Sequence, residues 1–220
     1  MLRCLKSPST AVILCCLSTA SSQTFDSVEI TKNLSPSVVL LKGTTEKGDI
    51  VGSGFIVSDD GKIVTNLHVI EDLRTGTVRL SSGSEFSSFS VLAFDTQKDL
   101  ALIKVAGSGL PSVRLGNSDE TQVGEPLLII GSPLGLQGTV TTGVISAIRD
   151  EPFGGSFKIL QTDAAVNPGN SGGPVINRKQ EVIGVVVFRV VGGENLNFAV
   201  PSTTCVRYSA KSPKQCRWAK

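Results

Sequence analysis

Residues 52–65 read Gly-Ser-Gly-Phe-Ile-Val-Ser-Asp-Asp-Gly-Lys-Ile-Val-Thr, and this stretch decides the fold class. Two short apolar and β-branched runs, Phe55-Ile56-Val57 and Ile63-Val64, flank the triplet Asp59-Asp60-Gly61. An Asp-Gly pair supplies the positive φ angles that tight hairpin turns require. The stretch therefore predicts two antiparallel strands joined by a hairpin turn.

The same alternation of short apolar runs and turn residues continues along the chain. Helical periodicity is nearly absent apart from a short helix predicted around residues 26–33. A parallel α/β sheet would need long helical crossovers, so the pattern predicts a closed or sandwiched all-β fold. The predicted strands lie near residues 37–42, 51–57, 62–66, 77–80, 87–94, 100–105, 127–131, 139–148, 157–162, 174–177, 182–190 and 196–200.

A more polar, glycine-containing stretch divides these strands into two sets of about six. It runs from residue 107 to residue 124 and is interpreted as a linker inside one domain, 35–204. We expect two subdomains on either side of it, about 35–106 and 125–204.

Composition excludes several classes of protein. The chain has 220 residues, 40% of them hydrophobic and 18% charged, which excludes collagen, coiled coils and bulk disorder. Lys and Arg number 21 against 19 for Asp and Glu, so the net charge of +2 gives no reason to expect nucleic-acid binding. Residues 205–220 form a basic C-terminal tail, which is interpreted either as a solvated end or as a patch for an anionic surface.

The first 20 residues have the pattern of a signal peptide. Arg3 and Lys6 precede an apolar run, 11–17, and small residues follow it up to a predicted cleavage site after Ala20. The run is far shorter than the roughly 20 residues that cross a bilayer, so we expect export without a stable membrane anchor. A transit peptide that directs the chain to an organelle lumen is the alternative. Residues 21–34 would form an N-terminal segment of the exported chain.

Cysteine content bears on metal binding and on disulfides. Cleavage after Ala20 would leave Cys205 and Cys216, which either form one disulfide or remain two thiols. With the one histidine of the chain they are too few for a metal site. Nothing in the sequence cradles a phosphate, and we expect no metal and no cofactor.

Three segments carry candidate catalytic side chains. His68 follows a predicted strand and Asp99 immediately precedes another, although each alone is more often a structural residue. The string Gly-Asn-Ser-Gly-Gly-Pro at 169–174 is more specific, because glycines around Ser171 allow close backbone approach and aim N–H groups at one point. The chain order His, Asp, Ser is that of one known catalytic triad, which would place the site between the two strand sets.

With further motifs, these segments resemble the protease domain of the HtrA (DegP-type) family of trypsin-like serine proteases. The likeness runs from about Ser35 to Ser202. The other strings that carry it are Gly52-Ser53-Gly54-Phe55-Ile56, Gly124-Glu125-Pro126, Gly131-Ser132-Pro133-Leu134-Gly135 and Asn197-Phe198-Ala199-Val200-Pro201.

The resemblance implies a chymotrypsin-like double six-stranded β-barrel with the active site between the barrels. His68 would then be the general base, Asp99 the residue that orients it, and Ser171 the nucleophile. The backbone N–H groups of Gly169 and Ser171, helped by Asn170, would form the oxyanion hole.

The resemblance also implies a small apolar specificity pocket, which we expect Val166, Val187 and Phe188 to line. Ala165 stands where trypsin-like enzymes specific for Lys or Arg carry aspartate, so an acidic pocket is not expected. Asp95 is the nearest competing carboxylate, but Asp99 is the one that fits the family string.

Function and partners follow from the same resemblance. We expect a serine endopeptidase that cleaves unfolded or extended polypeptides after small or medium apolar residues, through an acyl-enzyme, in protein quality control or processing. The alternative is a catalytically latent peptide-binding or chaperone-like module of the same fold. We expect no PDZ domain after Pro201, and the family's homotrimers would find one N-terminal aromatic residue here, Phe25.

Overall fold

The computed structural model describes residues 24–132, 135–150, 157–189 and 196–203. The described residues form a short helix and two sheets, joined by turns and two 3₁₀ segments, Ser35–Ser37 and Ser118–Glu120. The elements are α1 (Ser27–Leu34), β1 (Val38–Thr45), β2 (Gly48–Ser58), β3 (Lys62–Thr65), β4 (Thr75–Arg79), β5 (Glu85–Phe86), β6 (Ser90–Asp95), β7 (Leu100–Lys104), β8 (Arg114–Leu115), β9 (Pro126–Gly131), β10 (Thr139–Asp150), β11 (Lys158–Thr162), β12 (Pro174–Ile176), β13 (Glu181–Arg189) and β14 (Asn197–Pro201).

The strands form two seven-stranded sheets. The first sheet has the order β5-β4-β1-β2-β3-β7-β6, and the second has the order β12-β9-β10-β11-β14-β13-β8. Pairing of β12 with β13 closes six strands of the second sheet into a barrel, and β8 adds to β13 in parallel. Within the described residues no pairing joins β5 to β6, so the first sheet is a half-barrel. The all-β, double-barrel prediction is confirmed, with one additional short strand in each sheet.

The predicted hairpin between β2 and β3 is present. Phe55 pairs with Val64 and Ile56 with Ile63 in antiparallel register. The turn closes where the N–H of Gly61 donates to the carbonyl of Ser58 at 2.9 Å, with Gly61 at φ +95°. β3 in turn pairs with β7, and this pairing brings together two candidate catalytic residues, His68 after β3 and Asp99 before β7.

The core has three parts, one inside each sheet and one shared between them. Leu100 and Leu102 of β7 face the shared core, whereas Ala101 and Ile103 face the core of the first sheet. Residues 127–130 of β9 alternate in the same way between the second sheet's core and the shared core. Successive side chains of a strand point to opposite faces, so a continuous apolar run is buried on both sides. The shared core fixes the two sheets against each other.

Helix α1 anchors the N-terminal segment to the shared core. Asp26 caps the helix, because its side chain accepts the N–H groups of Val28 and Glu29, each at 3.0 Å. Ile30 is 1% exposed and lies in the shared core, and Phe25 packs against the same core. Phe25, the aromatic residue suggested for a homotrimer, thus has a partner surface in its own chain.

Several sequence predictions fall on other parts of the chain. The predicted signal peptide 1–20, the pair Cys205 and Cys216 and the basic tail 205–220 lie outside the described residues. The linker 107–124 is less irregular than expected, since it contributes β8 to the second sheet.

In the described part of the chain, no helix has the length and apolarity needed to cross a membrane, and no group of three acidic, Cys or His residues is placed to hold a metal.

Candidate active site

His68 and Asp99 come together because the strands next to them pair. His68 lies in the turn after β3, Asp99 directly precedes β7, and Thr65 of β3 pairs with Ala101 of β7. Asp99 Oδ2 lies 2.5 Å from His68 Nδ1, and Asp99 Oδ1 accepts the backbone N–H of His68 at 2.8 Å. The His68 side chain is 41% exposed and that of Asp99 is 27% exposed, so the imidazole is more open to solvent than the carboxylate. One carboxylate therefore holds the ring and the backbone of the same residue.

The backbone of Asp99 is itself held in an uncommon conformation. Its φ is +51°, a left-handed value that Asp tolerates better than most residues. The Asp99 carbonyl accepts the side-chain amide of Asn66 at 2.7 Å and the N–H of Leu67 at 3.2 Å. These two donors fix the carboxylate relative to the turn that carries His68.

Asp95, the competing carboxylate, serves a different purpose. Its Oδ1 accepts the N–H groups of Gln97 and Lys98 at 2.9 and 3.1 Å, and its Oδ2 lies 3.4 Å from Lys98 Nζ. These contacts shape the turn between β6 and β7. Asp95 thus stabilises the loop that presents Asp99.

Ser171 lies in the long connection between β11 and β12. The N–H of Asn170 donates to the carbonyl of Asn167, and the N–H of Gly173 donates to the carbonyl of Asn170, each at 2.9 Å. These two turns wind the chain tightly around Ser171. The Ser171 hydroxyl donates to the carbonyl of Val187 at 3.4 Å; among the described residues it has no hydrogen bond to His68.

The candidate oxyanion-hole donors differ from one another. The N–H groups of Gly169 and Ser171 make no hydrogen bond to another described residue, whereas the N–H of Asn170 is engaged by Asn167. The Asn170 side chain is 1% exposed and lies directly over Gly131, so it packs inside the protein. Within the described residues, the N–H groups of Gly169 and Ser171 are therefore unengaged, and Asn170 shapes the loop that carries them.

Close packing against the first sheet explains the glycines around Ser171. Gly172 has φ +83°, and a Cβ at this position would overlap the carbonyl oxygen of Ser53 in β2. The N–H of Ser53 donates to the carbonyl of Ser171 at 2.8 Å. The serine loop thus lies directly on β2, between the two sheets.

Comparison with known proteins fits this geometry. The model of the trypsin-like peptidase domain matches residues 52–185, a range that contains His68, Asp99 and Ser171. The chain belongs to this family. Among its relatives are a probable periplasmic serine endoprotease DegP-like from Ectopseudomonas mendocina, 45% identical over 76% of the chain, and a putative serine protease HhoB from Synechocystis, 47% identical over 70%. The chain spans 36% and 38% of the lengths of these two relatives.

Solved structures of HtrA-type proteases resemble this trypsin-like peptidase in fold. The HtrA-type protease AlgW with a tripeptide is 34% identical, with a TM-score of 0.75 over 82% of this chain and 61% of that one. The serine endoprotease from Yersinia pestis is 32% identical, with a TM-score of 0.73 over 82% of this chain and 64% of that one. The predicted resemblance to the HtrA type is confirmed.

The three residues predicted for the specificity pocket of this trypsin-like peptidase differ from one another in their surroundings. Val166 is 6% exposed and belongs to the core of the second sheet. Val187 is half-buried and lines a cavity of about 160 Å³ together with Asp99, Phe157 and Phe198. The side chain of Phe188 lies outside what the structure describes, although its backbone in β13 pairs with β14.

Sequence reasoning assigned no role to Ser53, which the structure places against the loop that carries Ser171. Ser53 is 0% exposed, and its hydroxyl donates to the carbonyl of Gly169 at 2.6 Å. The available signal was a serine between Gly52 and Gly54 inside an apolar strand, because glycine in a strand interior often marks close backbone approach.

Proposed function

We propose that this trypsin-like peptidase is a serine endopeptidase in which His68, Asp99 and Ser171 form the catalytic triad. The observation that carries the proposal is the two-point hold of Asp99 on His68, at 2.5 and 2.8 Å. A serine hydroxyl is a weak nucleophile at neutral pH, and an imidazole fixed in one tautomer by a carboxylate is the usual means of activating it.

The reaction follows from the placement of these groups. Ser171 Oγ turns from the Val187 carbonyl toward His68, transfers its proton to Nε2 and bonds to the scissile carbonyl carbon. Asp99 accepts the hydrogen bond from Nδ1 and stabilises the imidazolium. The C–N bond then breaks, His68 returns the proton to the leaving amine, and water hydrolyses the acyl-enzyme by the same route.

The oxyanion of each tetrahedral intermediate is assigned to the N–H groups of Gly169 and Ser171. Neither group is used by another described residue, so both can donate without breaking a hydrogen bond in that part of the chain. Removal of one such donor in a serine protease costs about 3 kcal/mol of transition-state stabilisation.

The proposed substrates are unfolded or extended polypeptides, cleaved after small or medium apolar residues. The HtrA-type protease AlgW has been solved with a tripeptide, which fits a protease of this type that binds short peptides. Val187 and Phe188 are proposed to contact the residue before the scissile bond. Val166 is 6% exposed, so we propose that it supports the pocket from the core and does not contact the substrate. Because relatives are named periplasmic endoproteases, we assign the activity to protein quality control or processing after export of the chain.

The test combines an active-site label with a cleavage assay. The purified chain, Ser171→Ala and the exposed-loop control Ser84→Ala are incubated with a fluorophosphonate probe and with unfolded casein. We expect the parent and Ser84→Ala to be labelled and to cleave casein, and Ser171→Ala to do neither. Casein cleavage that survives in Ser171→Ala would overturn the proposal.

A latent peptide-binding module is the second candidate, and one observation favours it. The Ser171 hydroxyl donates to the Val187 carbonyl, as it would in a site whose nucleophile is not yet aligned. This candidate predicts that the parent binds casein without labelling or cleavage. The same incubation, followed by size-exclusion chromatography, separates the two functions.

A further inference from the structure

Every polar group of Ser53 makes a hydrogen bond, and two of these bonds hold the serine loop. Its N–H donates to the carbonyl of Ser171 at 2.8 Å, and its hydroxyl donates to the carbonyl of Gly169 at 2.6 Å. Its hydroxyl also accepts the N–H of Ser132 at 2.9 Å, and its carbonyl accepts the hydroxyl of Thr65 at 2.7 Å. A strand residue of the first sheet thereby fixes two points on a loop of the second.

The direction of the bond from Ser53 to Gly169 is determined by its neighbours. A hydroxyl has one proton to donate, and a backbone N–H can only donate. Because Ser132 donates to Ser53 Oγ, the single hydroxyl proton is left for the Gly169 carbonyl. Ser53 is 0% exposed, so water does not compete for either bond.

These bonds bracket the proposed oxyanion hole. Gly169 has φ +99°, a backbone conformation that glycine adopts readily because it has no Cβ. Its carbonyl and that of Ser171 are the two groups held by Ser53, and the two proposed oxyanion donors are the N–H groups of the same residues. Donors contribute to the rate only when they are aimed in advance at the developing charge.

We propose that Ser53 is a positioning residue that holds the oxyanion hole in its working geometry and makes it depend on the docking of the two sheets. This inference rests on the proposed function. Ser53 touches neither the substrate nor the reacting atoms; it acts through Gly169 and Ser171. Loss of its hydroxyl would free the Gly169 carbonyl and leave the buried N–H of Ser132 without its acceptor.

The test measures hydrolysis of an N-blocked valine ester and of its thionoester counterpart. Sulfur accepts hydrogen bonds poorly, so a well-formed oxyanion hole favours the ester strongly. We expect kcat for the ester to fall about 10- to 100-fold in Ser53→Ala, while KM stays nearly unchanged. The loss of kcat should not exceed that caused by removal of one oxyanion-hole donor. The ratio of ester to thionoester turnover should fall with kcat.

Ser202→Ala is the matched control. Ser202 is also 0% exposed, and its hydroxyl donates to the carbonyl of another glycine, Gly116, at 2.8 Å, away from the serine loop. We expect a similar fall in Tm in both alanine variants but a change in kcat and in the ester ratio only at Ser53. Ser53→Cys, whose sulfur is slightly larger than the hydroxyl oxygen and a weak donor, covers the case in which Ser53→Ala does not fold.

The outcomes are distinguishable. A folded Ser53→Ala or Ser53→Cys with the parent's kcat, or a lower kcat with an unchanged ester ratio, overturns the positioning role while leaving the proposed function intact. A parent chain that neither hydrolyses the ester nor reacts with a fluorophosphonate overturns the proposed function and this inference together.

Discussion

Asp99 contacts His68 at two atoms, with Oδ2 2.5 Å from the ring Nδ1 and Oδ1 2.8 Å from the backbone nitrogen. The second contact matters as much as the first, because it fixes the turn from which the ring projects. A carboxylate that held the ring alone would leave the backbone N–H of His68 without this acceptor. Asp99 therefore fixes both the ring and the backbone of His68.

Asp99→Asn should abolish most activity without unfolding the protein. Asn tolerates the left-handed φ of +51° at this position, so the backbone is retained. The amide cannot stabilise an imidazolium and favours the wrong tautomer, for which the general experience with such triads is a fall in kcat of about 10⁴-fold. Steady-state kinetics on a peptide ester, with circular dichroism to verify folding, measure both effects.

Asp95→Asn provides the control for that substitution. Asp95 accepts backbone N–H groups in the turn before β7, and an asparagine side-chain oxygen can keep accepting them. We expect most of the parent's kcat to remain. Equal losses at positions 95 and 99 would contradict the assignment of the triad carboxylate.

Gly172→Ala should prevent the serine loop from docking on β2. A Cβ there would overlap the Ser53 carbonyl and lie 2.5 Å from Thr65 Oγ1, on a backbone at φ +83°. Gly83→Ala is the matched control, since Gly83 has φ +91° but no atom within 4 Å of its Cβ position. Urea unfolding should show a small loss at Gly83 and a much larger one, or no folded protein, at Gly172. A Gly172→Ala variant as stable as Gly83→Ala would contradict this packing.

The fold was more accessible from the sequence than the site. Each of the twelve predicted strands overlaps an observed strand, because a buried strand needs an apolar run and its ends need turn residues. Strands β5 and β8 have two residues each, too few to show a two-residue period. They form because neighbouring strands offer free edges, and that is a property of the assembled sheet.

At the site, the sequence supplied residue types, whereas the contacts depend on which strands pair. His68 and Asp99 are 31 residues apart, and Ser53 and Gly169 are 116 apart. The triad residues could be suggested through the family resemblance. The role of Ser53 could not, because it depends on the carbonyl orientation of a distant loop, and the burial of Val166 likewise depends on the path of that loop.

Ile30→Ala should destabilise the whole domain. Ile30 is 1% exposed and packs in the shared core, so its truncation removes buried methyl groups and leaves a cavity, at a cost of about 2–5 kcal/mol. Val28→Ala on the same helix is the control, because Val28 is 76% exposed. Denaturant unfolding should show a lower midpoint for Ile30→Ala and nearly none of that change for Val28→Ala. If α1 is only loosely attached, the two midpoints will coincide.

Gly131→Ala should impair catalysis through Asn170. A Cβ on Gly131 would overlap the Asn170 side-chain oxygen and lie 3.1 Å from its Cα, so the serine loop must shift. Displacement of a catalytic group by about 1 Å can cost about 10²-fold in rate, so we expect kcat to fall by about one to two orders of magnitude.

Gly107→Ala separates this effect from general crowding. There the nearest atom is the flexible end of the Leu110 side chain at 2.8 Å, which can move aside, and it is remote from the serine loop in the fold. Its kcat should stay close to that of the parent while Tm falls slightly. If both glycine variants lose activity equally, Asn170 does not transmit the strain. If only Gly131→Ala loses activity, the buried side chain of Asn170 supports the loop that carries the nucleophile.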